Sequence, residues 1–261
     1  MSVAAVVAAA GRGTRLGGDL PKAFRLLGGT PLLVHAIDAL RASRYVSHIV
    51  VAAPLDLIPE VHRLLDAAAA THIPPAAAAG AGGAAAVAGV AGGGPGGAGL
   101  RGVGISVVAG GEHRQDSVNA ALAALPDGVE VVLVHDAARP LVPVGVIDAV
   151  VAAVLAGAAA AVPVLPVVDT LKRVHPDGSV AGTVSRAELR AVQTPQGFRR
   201  DVLARAHAAA DPDLPATDDA GLVELLGVPV ATVPGSVEAL KITTPFDLVI
   251  AETILRHRMV P

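Results

Sequence analysis

Apolar residues in this chain fall into two kinds of stretch: short unbroken runs rich in valine and isoleucine, and longer stretches where apolar positions recur every three or four residues. The first kind predicts strands buried on both faces, the second amphipathic helices. Val3 to Ala10 is a strand; alanine alone favours a helix, but the run is short, carries Val3, Val6 and Val7, and stops at Gly11. Thr30-Pro31 reads as an N-cap followed by proline at the first helical position, with Leu32, Leu33, Ala36, Ile37 and Leu40 as the stripe of the first helix. Ile49 to Ala53 is a second strand and Leu57 to Ala70 a second helix. The same alternation resumes with a strand over Gly104 to Ala109, a helix to Leu125, a strand from Val129 to Val134, a helix from Pro143 and a strand from Ala158 to Leu165. Val228 to Val233 is a late strand, and Thr244-Pro245 caps a last helix reaching about Arg256. This order predicts an α/β fold with one doubly wound, mostly parallel sheet.

Two stretches depart from the alternation. From about Pro74 to Gly102 nearly every residue is Ala, Gly or Pro, and such small side chains bury too little area to offset a backbone ordering cost of about 1–2 kcal/mol per residue. A disordered or loosely packed insertion, without function, is expected there. From Val167 to about Val192, polar alternation around the turn His175-Pro176-Asp177-Gly178 predicts a protruding hairpin arm. An arm of that kind buries little within its own subunit, so a partner copy is expected to hold it.

Composition narrows the function classes. A formal net charge of −3 and 2% aromatic residues leave little to attract or stack nucleic acid. With no cysteine there is no disulfide framework and no thiolate chemistry, which fits a cytoplasmic protein. The first apolar run lacks a preceding basic region and meets Gly11 and Arg12 early, so no signal peptide is expected. Ala149 to Val168 is a charge-free stretch of twenty residues, long enough to span a bilayer, but Gly157, Pro163 and Pro166 divide it into a helix and a buried strand.

The candidate chemistry lies where predicted strands end. After the first strand comes Gly11-Arg12-Gly13-Thr14-Arg15-Leu16-Gly17-Gly18, then Pro21-Lys22. Glycines let backbone N–H groups turn toward an anion, and Arg12, Arg15 and Lys22 add charge suited to a polyphosphate. A dinucleotide fingerprint would need glycine where Leu16 stands, and a P-loop would need Lys followed by Ser or Thr. A nucleotide held by another glycine-rich loop is the remaining reading. Gly110-Gly111 opens a second such loop, and the strand from Val129 to Val134 delivers His135-Asp136-Ala137-Ala138-Arg139-Pro140. In open α/β sheets ligands sit beyond the carboxyl ends of the strands, so these loops are expected to share one crevice. Neighbouring strand residues face opposite ways, which makes His135 a structural residue rather than a partner of Asp136.

Taken together, Ala8 to Leu16 with Pro21-Lys22, Gly110-Gly111 through Arg114 with Ser117-Val118, Val134 to Pro140, Gln193-Thr194-Pro195-Gln196, Thr217-Asp218 and Lys241-Ile242-Thr243 resemble the 2-C-methyl-D-erythritol 4-phosphate cytidylyltransferase family, in that family's order. The first motif is shared by many nucleotidyltransferases; the combination is specific and covers the chain apart from about Pro74 to Gly102. The resemblance implies CMP transfer from CTP to methylerythritol phosphate, with Mg2+. Arg15, Lys22 and Lys241 would act on the reacting phosphates, and Ala9, Ala10, Gly11, Gly13, Gly111 and Ser117 would hold CTP. Asp136 would bind the metal. With Asp136, Arg139, Thr170, Arg186, Thr194, Thr217 and Lys241 would form the acceptor site, Thr170 and Arg186 reaching across a homodimer. Ser185 and Arg190 depart from the family's usual residues on the arm, where an acid and an aromatic are common.

Singly, each of these residues has a plainer reading: Asp136 a loop cap, Arg139 a surface ion pair, Asp218-Asp219 acids compensating a helix dipole, Lys241 a solvated lysine. Two functional alternatives stand beside the leading one. A pentitol-phosphate cytidylyltransferase would differ in the acceptor pocket, and a non-catalytic nucleotide-binding module would be expected to lack Lys22, Asp136 or Lys241, all of which are present.

Overall fold

The computed structural model describes residues 2–11, 21–71, 102–211 and 216–259. Arg12, Gly13 and Arg15, and the Ala/Gly/Pro stretch from 74 through 101, lie outside the described residues.

Strands β1 (Ser2–Ala8), β4 (Val46–Ala53), β5 (Gly104–Ala109) and β6 (Val129–Asp136) run parallel in the order β6-β1-β4-β5. Beyond β6 the sheet continues through β11 (Gln196–Arg199), antiparallel to it, to β7 (Ala160–Pro166), which is bordered by β10 (Arg190–Val192) and, in parallel, by β12 (Val230–Pro234). The short strands β2 (Leu26–Leu27) and β3 (Thr30–Pro31) pair only with each other.

Helices cover both faces, which is why the strands are apolar throughout rather than alternating. Val3, Ala5, Val7, Ile49, Val51 and Leu133 face α1 (Leu32–Arg41), α2 (Ile58–Thr71) and α4 (Val144–Leu155), while Ala4, Val6, Val50, Val132 and Val134 face α3 (Arg114–Ala123), α5 (Arg200–Ala208) and α6 (Asp219–Leu225). Helix α7 (Pro245–Met259) packs Leu248, Ala251 and Leu255 against Leu27, Leu32 and Ile242.

The start of α1 differs from the expectation. Pro31, not Thr30, is the N-cap, because Thr30 and Pro31 are held in β3 and the Leu32 N–H is satisfied by the Arg25 carbonyl at 2.9 Å. The charge-free stretch from Ala149 divides between α4 and β7 as expected, and among the described residues no helix is long and apolar enough to cross a membrane.

The arm is a hairpin of β8 (Leu171–Val174) and β9 (Val180–Val184), all but one residue of which is exposed. Its return strand, β10, already belongs to the main sheet.

Candidate active site

The site lies beyond the carboxyl ends of β1, β5 and β6, where the chain must leave the sheet and backbone polar groups become available. Ala9 stays tied to the sheet edge through its N–H to Ala52 O (2.9 Å), and Gly110 through its N–H to Ala53 O (2.7 Å). A Cβ on Gly110 would sit 2.5 Å from the Ala10 Cβ, so only glycine lets the second loop approach the first this closely. The Ser117 hydroxyl then cinches the loop, accepting from Gly111 N and donating to His113 O, each at 3.2 Å.

Ala9, Ala10, Gly111 and Ser117 line a cavity of about 190 Å3 together with Gly11, Lys22, Arg114, Asp136 and Lys241. A second cavity of about 230 Å3 adjoins it, lined by Arg139, Thr194, Gln196, Thr217 and Asp218, and again by Arg114, Asp136 and Lys241. Those three charged residues are therefore a common wall.

Asp136 is the last residue of β6 and is 7% exposed. One carboxylate oxygen lies 3.3 Å from Arg114 Nε and the other 2.8 Å from Lys241 Nζ. Burial pushes this carboxyl upward, but Arg114, Lys241 and, behind them, Arg139 outweigh it and hold it well below the usual carboxylate range. For Arg114, burial opposes the charge while Asp219 and Asp136 outweigh it, raising the guanidinium above its ordinary value. Lys241 reaches the wall because the next residue, Ile242, is buried and donates its N–H to Ala138 O at 2.9 Å.

His135 has the structural role expected of it. Burial lowers it to about 4, so at neutral pH it is uncharged. Its Nε2 lies 3.1 Å from Arg139 O and its Nδ1 3.1 Å from the Thr194 hydroxyl, which also accepts from Asp136 N at 3.1 Å. An Nε2–H tautomer satisfies all three bonds. Thr194 thus lines the second cavity with its hydroxyl already engaged in fixing the Asp136 backbone. Arg139 likewise donates to Ala239 O (2.7 Å) and Val192 O (3.4 Å), and burial lowers its pKa, partly offset by Asp136.

Of the residues expected in the site, the fold brings together Ala9, Ala10, Gly11, Lys22, Gly111, Ser117, Asp136, Arg139, Thr194, Thr217 and Lys241. Thr170 and Arg186 line neither cavity; Arg186 donates to Val168 O at the base of the arm. Gly13 and Arg15 lie outside the described residues. Arg114 and Asp219 are not among the site residues expected from the sequence. Arg114 followed a recognised glycine pair, a usable signal, whereas Asp219 looked like a dipole-compensating acid and is instead buried in an ion pair 2.6 Å from Arg114.

A profile of the 2-C-methyl-D-erythritol 4-phosphate cytidylyltransferase family matches residues 3–93 and 95–257. The chain is 51% identical over 253 residues to the protein of that name from Frankia casuarinae, covering 97% of this chain and 81% of that one. It is 49% identical over 261 residues to the one from Streptomyces avermitilis, covering 98% and 92%. The crystal structure of the protein of that name from Thermus thermophilus is similar with a TM-score of 0.69 at 37% identity, over 98% of this chain and 100% of that one.

Proposed function

The chain belongs to the 2-C-methyl-D-erythritol 4-phosphate cytidylyltransferase family, and we propose how its two adjoining cavities divide the reaction. The enzyme transfers CMP from CTP to 2-C-methyl-D-erythritol 4-phosphate, giving 4-diphosphocytidyl-2-C-methyl-D-erythritol and pyrophosphate, in the non-mevalonate route to isoprenoid precursors. CTP takes the cavity of Ala9, Ala10, Gly11, Gly111 and Ser117, and the family resemblance assigns Gly13 to the same ligand. The methylerythritol phosphate takes the cavity of Arg139, Thr194 and Thr217. The observation that supports this reading is the shared wall of Arg114, Asp136 and Lys241, a charged junction suited to the phosphates of both ligands.

The acceptor phosphate oxygen is already anionic, so no general base is needed. It attacks the α-phosphorus, the bond to the β-phosphate oxygen breaks, and pyrophosphate leaves with the electron pair. Catalysis then reduces to alignment and neutralising developing charge. Lys22, Lys241 and Arg15 supply that charge, and Arg139 helps hold the acceptor phosphate.

Mg2+ commonly binds through one or two carboxylates plus substrate phosphates rather than in an all-protein cage. Asp136 suits that arrangement, and among the described residues no cluster of three or more His, Cys, Asp or Glu side chains offers an alternative. Asp136 and the triphosphate would hold the ion, which supplies further charge neutralisation.

The exposed arm supports a homodimer in which Thr170 and Arg186 reach the neighbour's acceptor cavity. A chain without cysteine and with a nucleotide substrate fits the cytoplasm.

The test is pyrophosphate release with CTP and each candidate acceptor. Turnover with methylerythritol phosphate and little with pentitol phosphates is expected; the reverse preference would overturn the acceptor assignment.

A further inference from the structure

Asp219 opens α6 and is 1% exposed, yet it lines neither cavity. One oxygen is hydrogen-bonded with His207 Nε2 on α5 at 2.9 Å, and the other is ion-paired with Arg114 Nη1 on α3 at 2.6 Å. Arg114 turns its Nε to Asp136, whose other oxygen meets Lys241. His207, Asp219, Arg114, Asp136 and Lys241 thus form one linear array through the floor of the site.

Asp219 is not needed to start its helix. Asp218 is the N-cap, accepting from Gly221 N at 2.9 Å, and Gln196 pins the same turn by donating to Asp218 (2.6 Å) and accepting from Ala220 N (3.1 Å). Burying a carboxylate is costly even when it is paired, and well-packed apolar residues generally serve stability as well or better. The arrangement instead has the features of a positioning device. A guanidinium is a rigid planar group, and its Nη1 ion-paired with Asp219 while its Nε bonds Asp136 restricts its orientation.

We propose that Asp219 is a positioning residue that locks Arg114, and through it the Asp136 carboxylate, tying the acceptor-side turn at Thr217 to the nucleotide-side helix α3. His207 fixes Asp219 from behind. This rests on the reading of Asp136 given above. Losing the lock leaves Arg114 able to swing, so alignment for attack is lost more than ground-state binding.

Steady-state pyrophosphate release and thermal unfolding of the full chain test the proposal. Asp219→Asn keeps the shape but presents one acceptor to two donors, and it should lose roughly 10–100-fold in kcat with a much smaller change in KM for CTP. Because Asp219 acts through Arg114, the double variant Asp219→Asn/Arg114→Lys should be little worse than Arg114→Lys alone. His207→Gln keeps an N–H donor for Asp219 and should retain most of kcat. Wild-type kcat in Asp219→Asn beside a crippled Asp136→Asn would overturn the positioning role alone; wild-type kcat in Asp136→Asn would overturn the site reading and this inference with it. Additive losses in the double variant, or a kcat loss matched by the unfolded fraction, would also overturn it. If Asp219→Asn does not fold, Arg114→Lys reads the same link, and wild-type kcat there overturns it.

Discussion

At Asp136 desolvation and ion pairing oppose each other, and the pairing wins because two cations stand on opposite sides of one carboxylate. Lys22 lines the first cavity and not the second, which on the proposed division places it toward CTP. The two residues should therefore fail differently. Removing a preorganised charge donor typically costs about 10²–10³ in kcat, roughly 2.7–4 kcal/mol, and Lys22→Ala should lose an amount of that order with a smaller change in KM for CTP. On the proposal that Asp136 holds Mg2+, raising Mg2+ should partly rescue Asp136→Asn while leaving Lys22→Ala unchanged. Assaying both variants across a Mg2+ titration with saturating acceptor checks this, and equal rescue of the two would contradict it.

Among the elements, β11 and α7 show how a helix is placed for the site. Gly197 on β11 faces α4, and a Cβ there would lie 2.5 Å from Val150 Cγ1 and 3.3 Å from Leu133 Cδ2. Gly197→Ala should cost about 1–3 kcal/mol by overpacking, read as a lowered denaturation midpoint with an unchanged m-value. At the start of α7, Asp247 accepts from Thr244 N (2.7 Å) and donates its own N–H to the Thr244 hydroxyl (3.3 Å), a reciprocal cap just after the turn that presents Lys241. Slight burial raises the Asp247 carboxyl, but hydrogen bonds from Thr243 and Thr244 outweigh it and bring it to about 2. Its folded pKa lies below the unfolded value of about 3.9, so its contribution is present above about pH 4 and is lost as pH falls toward about 2. Asp247→Asn should remove that part of the acid dependence, and unfolding curves between about pH 2 and 5 would reveal it as a shallower slope than in the parent.

Beyond single elements, the arm projects from the body with its strands exposed, and the resemblance assigns its Arg186 to a neighbour's site. Mixing inactive Arg186→Ala with inactive Lys22→Ala should restore activity, because a mixed dimer holds one intact composite site. Absence of recovery, with subunit exchange verified by mass, would argue against sharing across the dimer. The Ala/Gly/Pro stretch enters the chain between α2 and β5, which remain neighbours in the fold. Replacing Pro75 to Gly99 with a short Gly/Ser linker should leave both the unfolding transition and kcat near those of the parent. Lost activity in a folded deletion would assign the stretch a role after all.

Most of the strand and helix order and the hairpin arm are legible in the residues alone, because each depends on local periodicity or turn chemistry within a few positions, whereas β2, β3, β11 and α5 are not expected from them. Two of the three wall residues are legible in the same way: Asp136 and Lys241 stand in motifs readable as they are, as does Lys22 on the first cavity. The choice of Pro31 as cap over Thr30, the engagement of Thr194 by His135, and the pairing of Arg114 with Asp219 come instead from the folded arrangement. Those contacts join elements far apart in the chain. Whether an acid at a helix start meets water or a guanidinium depends on which helices the sheet brings side by side, and no local pattern of residues records that.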